Sequence, residues 1–426
     1  MNKRRVFVGI FLIFSVLTGA ALAAAPEDLQ QSIQGKSQEL LEINSKIRAT
    51  QSQITALQGQ GKTLKQALAT LDYQINQVNL GIKSSEINID KLRLELQSLG
   101  YELGEVSADI DNKEEVIAET LRELQQKDRE GLLVVLLKHE SLADGLFEVQ
   151  ALRDVQNSLT INVSELVALH GKLENNVVQT TEKKSEKEVE ATNLKKRKFI
   201  LADQQGEKDQ LLKETKNQES LYQKKLTELE SQQRNILDEI TRIEAELRAK
   251  YKPSDLPSKK ATAFVWPVVL TGDGGKGTIS QNFGETAYSS RLYKGQAHNG
   301  MDIAAPIGTP VYAATDGRVV RVDYNGRYYQ YGRYILIDHG NGLSTLYAHL
   351  SEAAIGSGAS VTKGQLIGYV GSTGFVTGPH LHFGVYATPS GGWQITNSKS
   401  QPGFVSVPPA SGLVPIGVAV NPQNYL

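Results

Sequence analysis

Cysteine is absent from all 426 residues, which excludes disulfides, thiolate metal ligands, a cysteine nucleophile and a lipid-modified cysteine, and leaves the redox compartment open. Proline is absent between Pro26 and Pro253, and no tryptophan falls in that stretch. Charge of one sign is also missing: the formal net charge is -1, so no basic field argues for a nucleic-acid partner.

In place of proline there is period. From Ile33 to Leu124 an isoleucine or leucine recurs at every seventh residue, broken only at Gly61, with companions three residues on such as Ile43, Leu64, Leu71, Val78 and Leu92. That is an a/d seam sustained far beyond the roughly three or four heptads that identify a coiled coil. Gly59, Gly61, Gly81, Gly100 and Gly104 are its weak points, each costing about 1 kcal/mol against alanine. The pattern predicts a first arm over 27–130. Residues 131–160 are apolar all round at Leu132–Leu137, which predicts a helical tip that packs on itself or meets a partner. A returning arm follows over 161–252, weakly periodic at first and strengthening at Leu212, Tyr222, Leu226, Leu229, Ile236, Ile240, Ile243 and Leu247. An antiparallel hairpin is the economical arrangement, and an intermolecular coiled coil is its rival. The mixed Lys/Glu run 182–198 reads as a solvated face.

The N-terminus carries Lys3-Arg4-Arg5, an apolar run from Val6 to Leu22 and the small-x-small pattern Ala21-Leu22-Ala23. This predicts a secretory signal peptide over 1–23 and work outside the cytoplasm, with an uncleaved membrane anchor as the alternative.

After a Pro/Ser/Lys linker at 253–263, heptads vanish and short Val/Ile/Tyr-rich runs alternate with glycine-containing turns. Strands are expected around 311–314, 318–322, 334–337, 343–347 and 365–370, with Asn341-Gly342 as a hairpin turn. The expected fold is thus α+β and multidomain: a long antiparallel coiled-coil hairpin, then a compact, mostly antiparallel β domain over 264–426.

Five of the seven histidines fall between Gly295 and Tyr386. His380 and His382 lie two apart in a strand-like run and point into one groove, while Leu381 points into a core. His349 is expected to share a strand face with Thr345 and Tyr347, opposite Leu346, Ala348 and Leu350. His298 and Asp302 bracket Asn299-Gly300, a turn able to bring both side chains onto one ion. Imidazoles and a carboxylate without thiols suit a His/His/Asp zinc site with an open position for water, and so metal-assisted hydrolysis. His139 and His170 read as ordinary helix residues, and His339 as a turn residue. Arg327, Tyr328, Tyr329 and Tyr331 either line a groove or pack a hairpin.

His-x-x-x-Asp, then Tyr347-Ala-His-Leu350, then Gly378-Pro-His-Leu-His-Phe383 resembles the lysostaphin/LytM-type zinc metallopeptidases, which cut peptide cross-links in peptidoglycan. Ser280-Gln-Asn-Phe-Gly284, Gly308-Thr-Pro-Val-Tyr-Ala313 and Asn421-Pro-Gln-Asn-Tyr-Leu426 agree with it. The resemblance covers about 264–426 and implies Zn2+ held by His298, Asp302 and His382, with His349 and His380 as the catalytic pair and peptidoglycan stem peptides as substrate. The helical region is similar in architecture to that of EnvC/PcsB-like murein hydrolases of the division machinery, which implies a membrane partner of the FtsEX type. Residues 388–416 depart from the family as a Gly/Pro/Ser-rich insertion. Two other functions compete with the peptidase: a non-catalytic activator of cell-wall amidases, and a coiled-coil scaffold. An intact site beside a long hinged arm also suggests latency.

Overall fold

The computed structural model describes residues 26–58, 63–127, 142–249, 264–269, 275, 277–286, 297–388, 393–395 and 403–426. The expected signal peptide, the apolar run Leu132–Leu137, His139 and the linker 253–263 lie outside them.

Among the described residues, four helices follow from the proline-free stretch: α1 (Pro26–Gln58), α2 (Leu64–Lys127), α3 (Leu142–Thr215) and α4 (Glu219–Arg248). Thr63 starts α2 with a capping box. Its Oγ1 accepts from the Gln66 N–H at 3.2 Å, and Gln66 Oε1 accepts from the Thr63 N–H at 3.1 Å. Among the described residues no helix is long and apolar enough to cross a membrane.

Two compact units divide the chain, residues 1–34 with 94–177 and residues 35–93 with 178–426. In the first, Val106 and Ile110 are buried, and Lys113 pairs with Glu165 and donates to Asn162 at 3.0 Å. In the second, α2 and α3 run antiparallel within one chain, tied by Asp72 to Lys208 at 2.5 Å and by Glu86 to Lys198 at 3.3 Å. Leu64, Leu71 and Leu211 fill part of that seam.

The returning arm is not one helix. Lys216 (φ 48°) and Asn217 (φ 56°) are left-handed, so α3 ends and α4 starts anew at Glu219. Asparagine tolerates that region, but no glycine or proline announces the break.

The β domain is a large antiparallel sheet in the order β1 (Thr278–Gln281), β2 (Met301–Ala304), β9 (His380–Ala387), β6 (Leu343–Ala353), β5 (Arg333–Asp338), β4 (Gly317–Tyr324), β7 (Ser360–Val361). β8 (Leu366–Val370) pairs with β6 and with β3 (Pro310–Tyr312), and β13 (Val418–Val420) pairs with β9. Residues 388–416, expected as an insertion, contribute β10 (Gln394–Ile395), β11 (Gly403–Val405) and β12 (Val414–Ile416), a separate small sheet.

Alternation along the strands sends residues to two faces. Met301, Ile303, Tyr347, Leu381, Phe383 and Val385 join the core on one side. On the other, Tyr331, Leu346, Ala348, Tyr386, Val418 and Ala419 pack against Ile236, Ile240, Ile243 and Leu247 of α4. The last part of the returning arm's heptad run is therefore spent on the β domain, while Tyr222 packs against Leu64, Leu71 and Leu211 of the helical seam. Each of the four α4 side chains on the sheet gains about 1.5–3 kcal/mol from leaving water.

Candidate metal centre

The side chains expected at the site converge on the sheet face that α4 covers. β2 and β9 pair antiparallel with Asp302 opposite His382 and Ala304 opposite His380. His380 and His382 point to the same side, and Leu381 is buried in the opposite core. His298 reaches them from the turn before β2, fixed by two backbone hydrogen bonds with Gly284, at 2.8 and 2.9 Å. Gly300 in that turn has to be glycine, because a Cβ there would stand 2.5 Å from the His382 ring.

His298, Asp302 and His382 could hold a metal ion, each offering one atom. His298 Nε2 lies 3.1 Å from His382 Nδ1 and 3.2 Å from Asp302 Oδ1, and His382 Nδ1 lies 3.0 Å from Asp302 Oδ1. A tetrahedral ion with bonds of about 2.0–2.1 Å has edges of about 3.3 Å, so this triangle fits one face of a zinc site. The His298 Nδ1–H donates to Asn282 O at 3.0 Å, so in the neutral ring Nε2 carries the lone pair a metal would take, and in the protonated ring the same nitrogen donates to Asp302.

The electrostatics are those of an anion among imidazoles. Burial pushes the Asp302 carboxyl up, yet His380 and His298, with hydrogen bonds from His298 and His382, hold it well below the carboxylate range. Burial pushes His298 down, but the Asp302 charge and its hydrogen bond leave it raised. His382 is lowered, by burial first.

His349 arrives by an irregularity. Strict alternation expects it beside Thr345 and Tyr347; that expectation is corrected by its backbone, which is left-handed at φ 62°. Such a conformation is uncommon outside glycine and costs about 1–2 kcal/mol. It resets the alternation of β6, so that His349 follows Ala348 to the site face while Leu350 joins Tyr347 in the opposite core. The His349 N–H donates to Tyr331 O at 2.9 Å, and its Nδ1–H donates to Thr373 O at 2.8 Å. Its ring centroid lies 4.8 Å from that of His380 and 5.7 Å from that of His382. Burial, then the neighbouring His380 and His382, drives His349 well below the ordinary histidine range. His380 donates from Nδ1 to Gly378 O at 2.8 Å, and its Nε2 stands 3.6 Å from Asp302.

The other two described histidines are elsewhere. His339 closes the β5–β6 turn between Asp316 O (2.7 Å) and Thr345 Oγ1 (2.8 Å), and His170 sits exposed on α3 with Nδ1 3.0 Å from Leu166 O. Of the loop aromatics, Tyr331 packs 5.6 Å from the His382 ring. Arg327 instead binds Asp203 and Glu207 of α3, and Tyr329 donates to Gln232 of α4 at 2.6 Å.

Sequence reasoning missed the roof. Gln233, Leu237, Ile240, Thr241 and Glu244 of α4 line the same cavity as the histidines and Asp302. Gln233 Oε1 accepts from the Gln330 N–H at 3.1 Å, and Arg248 donates to Ala419 O at 3.3 Å. Glu244 keeps part of its stem in solvent, but its carboxyl end is enclosed, and burial pushes its pKa up to about 7. A signal existed: Glu244 lies four residues after Ile240 and three before Leu247, on the apolar stripe.

Residues 296–396 match Peptidase family M23. The peptidoglycan DD-endopeptidase ShyA of Vibrio cholerae is 46% identical over 109 residues, 25% of this chain and 24% of that protein. The DD-carboxypeptidase/endopeptidase Mpg of Neisseria meningitidis is 47% identical over 105 residues, 25% of this chain and 23% of that protein. The chain thus spans about a quarter of the length of the curated relatives it matches. Among solved structures, the catalytic domain of lysostaphin from Staphylococcus simulans is 27% identical, covering 35% of this chain and 91% of that one with a TM-score of 0.26. The matched span holds β2 to β9 with all five site residues, and on that ground residues 296–396 are a Peptidase family M23 domain, set behind a helical region that the match does not reach.

Proposed function

We propose that this chain is an extracytoplasmic zinc-dependent endopeptidase that hydrolyses peptide cross-links of peptidoglycan. One observation carries the reading: three donor atoms 3.0–3.2 Å apart share a cavity with two further histidines whose Nδ1–H groups are committed to backbone carbonyls. His298 Nε2, Asp302 Oδ1 and His382 Nδ1 are the ligands. Zinc bound there supplies a Lewis acid that polarises the scissile carbonyl and acidifies water towards a pKa of about 7.

His349 and His380 do the proton work. With Nδ1–H held by Thr373 O and Gly378 O, each presents Nε2 to the cavity. One accepts the proton of the attacking water and returns it to the departing amine; the other, when protonated, donates to the oxyanion. Asp302 draws both histidine-bound protons and metal to this corner of the sheet. The helical hairpin is the part through which an FtsEX-type membrane partner would act during division, as the resemblance of its architecture suggests.

The test is release of new peptide ends from cross-linked peptidoglycan, read by mass spectrometry, with zinc or chelator. Because α4 covers the site, full-length Ile240→Glu should be assayed beside the native chain. Zinc-dependent ends from either protein support the reading. None from both would favour the non-catalytic activator, in which the groove binds a partner enzyme.

A further inference from the structure

The loop between β4 and β5 carries a residue that neither the metal nor the proton steps employ. Gln330 is 8% exposed and lines the cavity of His298, Asp302, His349, His380 and His382. Its backbone is left-handed at φ 44°, a conformation uncommon outside glycine that collects at ligand-binding sites. Both of its main-chain groups are engaged. The N–H donates to Gln233 Oε1 of α4 at 3.1 Å, and the carbonyl accepts from the Phe375 N–H at 2.9 Å. The side-chain amide is not: Nε2 is buried with no hydrogen-bond partner among the described residues.

A buried amide nitrogen without an acceptor is costly, and native proteins seldom keep one without a reason. The acceptor that serves the Gln330 N–H points to that reason. Gln233 ends in a primary amide, whose oxygen is chemically that of a peptide carbonyl, and it lines the same cavity. One donor of Gln330 is thus satisfied by a peptide-like oxygen from the cover, and the other is open. Glu244 Oε1, an acceptor on the same cavity, is also buried without a partner, so α4 as docked does not complete Gln330. The next residue, Tyr331, takes the His349 N–H on its own carbonyl at 2.9 Å. An oxygen held at Gln330 therefore lies one residue along the chain from the group that fixes a site histidine.

We propose that Gln330 is a substrate-binding residue: its N–H and its side-chain amide receive carbonyl oxygens of a peptide lying in the groove, and Gln233 Oε1 takes the place of one of them while α4 is docked. The inference rests on the peptidase reading for what enters the groove. Recognition at this position is of peptide backbone, through its acceptors, and requires no charge on the substrate. Gln233 and a substrate carbonyl then compete for one N–H, so α4 does not merely lie over the site but fills a binding position within it.

The experiment uses the full chain, stripped of metal so that no bond is cut, and calorimetry with a purified cross-linked peptide dimer from peptidoglycan as the probe. Two changes open the position by separate routes: Ile240→Glu disrupts the apolar seat of α4, and Gln233→Ala removes the competing oxygen alone. Gln233→Ala should bind the dimer about fivefold or more tightly than Gln232→Ala, although each loses one hydrogen bond between α4 and this loop. In either opened chain, adding Gln330→Met, which keeps the length of the side chain and removes its donors, should weaken binding about tenfold. Adding Gln330→Asn instead, which keeps the donors and tolerates the left-handed backbone, should restore most of it. Equal binding by Gln233→Ala and Gln232→Ala, no binding to either opened chain, or the same loss from Asn as from Met overturns the proposal. Zinc-dependent release of peptide ends, scored in parallel, keeps the two readings apart. Cleavage with binding indifferent to Gln330 sinks the binding residue alone, and Gln330-dependent binding without cleavage sinks the peptidase alone.

Discussion

The two faces of the large sheet are buried by different means. One is closed by the β domain's own strands, around Met301, Ile303, Tyr347, Leu381, Phe383 and Val385. The other, which carries the metal-ligand candidates, is closed by α4, a helix that precedes the β domain in the chain. The first face resembles the interior of any small domain. The second is a docking surface whose cover includes an unpartnered acid oxygen, a glutamine side chain bonded to a left-handed residue, and partly exposed polar contacts. A core of the first kind holds the fold, and a cover of the second kind leaves room for control.

That contrast predicts unequal responses to damage. Phe383→Ala empties a fully buried site on the closed face and should cost about 3–5 kcal/mol of β-domain stability, measured by urea unfolding. Ile240→Ala removes a comparable apolar contact on the other face, yet its loss should appear as faster hydrogen exchange in α4, with the β-domain strands still protected. If Ile240→Ala unfolded the strands as well, the two faces would be one cooperative core and the contrast would be wrong.

Next in size is a pH effect on the cover. The enclosed Glu244 carboxyl has its pKa raised to about 7 from the ordinary 4.5. The docked form therefore holds the proton more tightly than a solvated one, so its stabilisation is complete below about pH 4.5 and lost as pH rises through 7. Arg248 on the same helix, together with the Gly417 N–H and Asn299 from the β domain, opposes the rise without cancelling it. Docking of α4 should weaken by about 3 kcal/mol between pH 4.5 and pH 8 in metal-free protein. Hydrogen exchange in α4 checks this, and subtraction of the Glu244→Gln profile removes the contribution of the site histidines. A flat difference profile would mean that the carboxyl is solvated and the roof open.

Metal should strengthen the histidine face specifically. At a zinc concentration about a hundredfold above its Kd, the native chain should gain about 2.7 kcal/mol, seen as a higher Tm, and Asp302→Ala should abolish the gain. A zinc-induced rise that survived Asp302→Ala would place the ion elsewhere.

Much of this was legible from residue spacing, and the exceptions are instructive. His380-Leu381-His382 declares a shared face because strand period is strict, whereas the heptads declare long helices and leave a hairpin and an intermolecular coiled coil both open. The same rule places His349 on the wrong face, since a single left-handed residue reverses alternation and leaves no mark in composition. The break at Lys216–Asn217 was invisible for a similar reason: neither residue is a helix breaker in the manner of glycine or proline. The apolar stripe Ile236, Ile240, Ile243, Leu247 was visible, but a stripe does not name its partner. A sheet carrying Tyr331, Tyr386 and Val418 satisfies it as well as another helix does. Glu244 on that stripe was the one sign that the partner had polar business with it.

The smallest effect separates seat from latch. Gln233 Oε1 accepts the N–H of Gln330, whose φ of 44° turns that N–H toward α4. Gln233→Ala leaves the buried N–H unsatisfied, at a cost of about 1–3 kcal/mol. Gln232→Ala removes only the acceptor for the Tyr329 hydroxyl, which can turn to water, and should cost under about 1 kcal/mol. Both losses should register in α4 exchange and leave urea unfolding of the strands unmoved. If Gln233→Ala also shifted the pKa of the loop-tethered His349, followed by NMR, then the roof and the proton-handling histidine would be coupled through Gln330–Tyr331, because the Tyr331 carbonyl accepts the His349 N–H. An unmoved His349 would confine Gln233 to holding the helix in place.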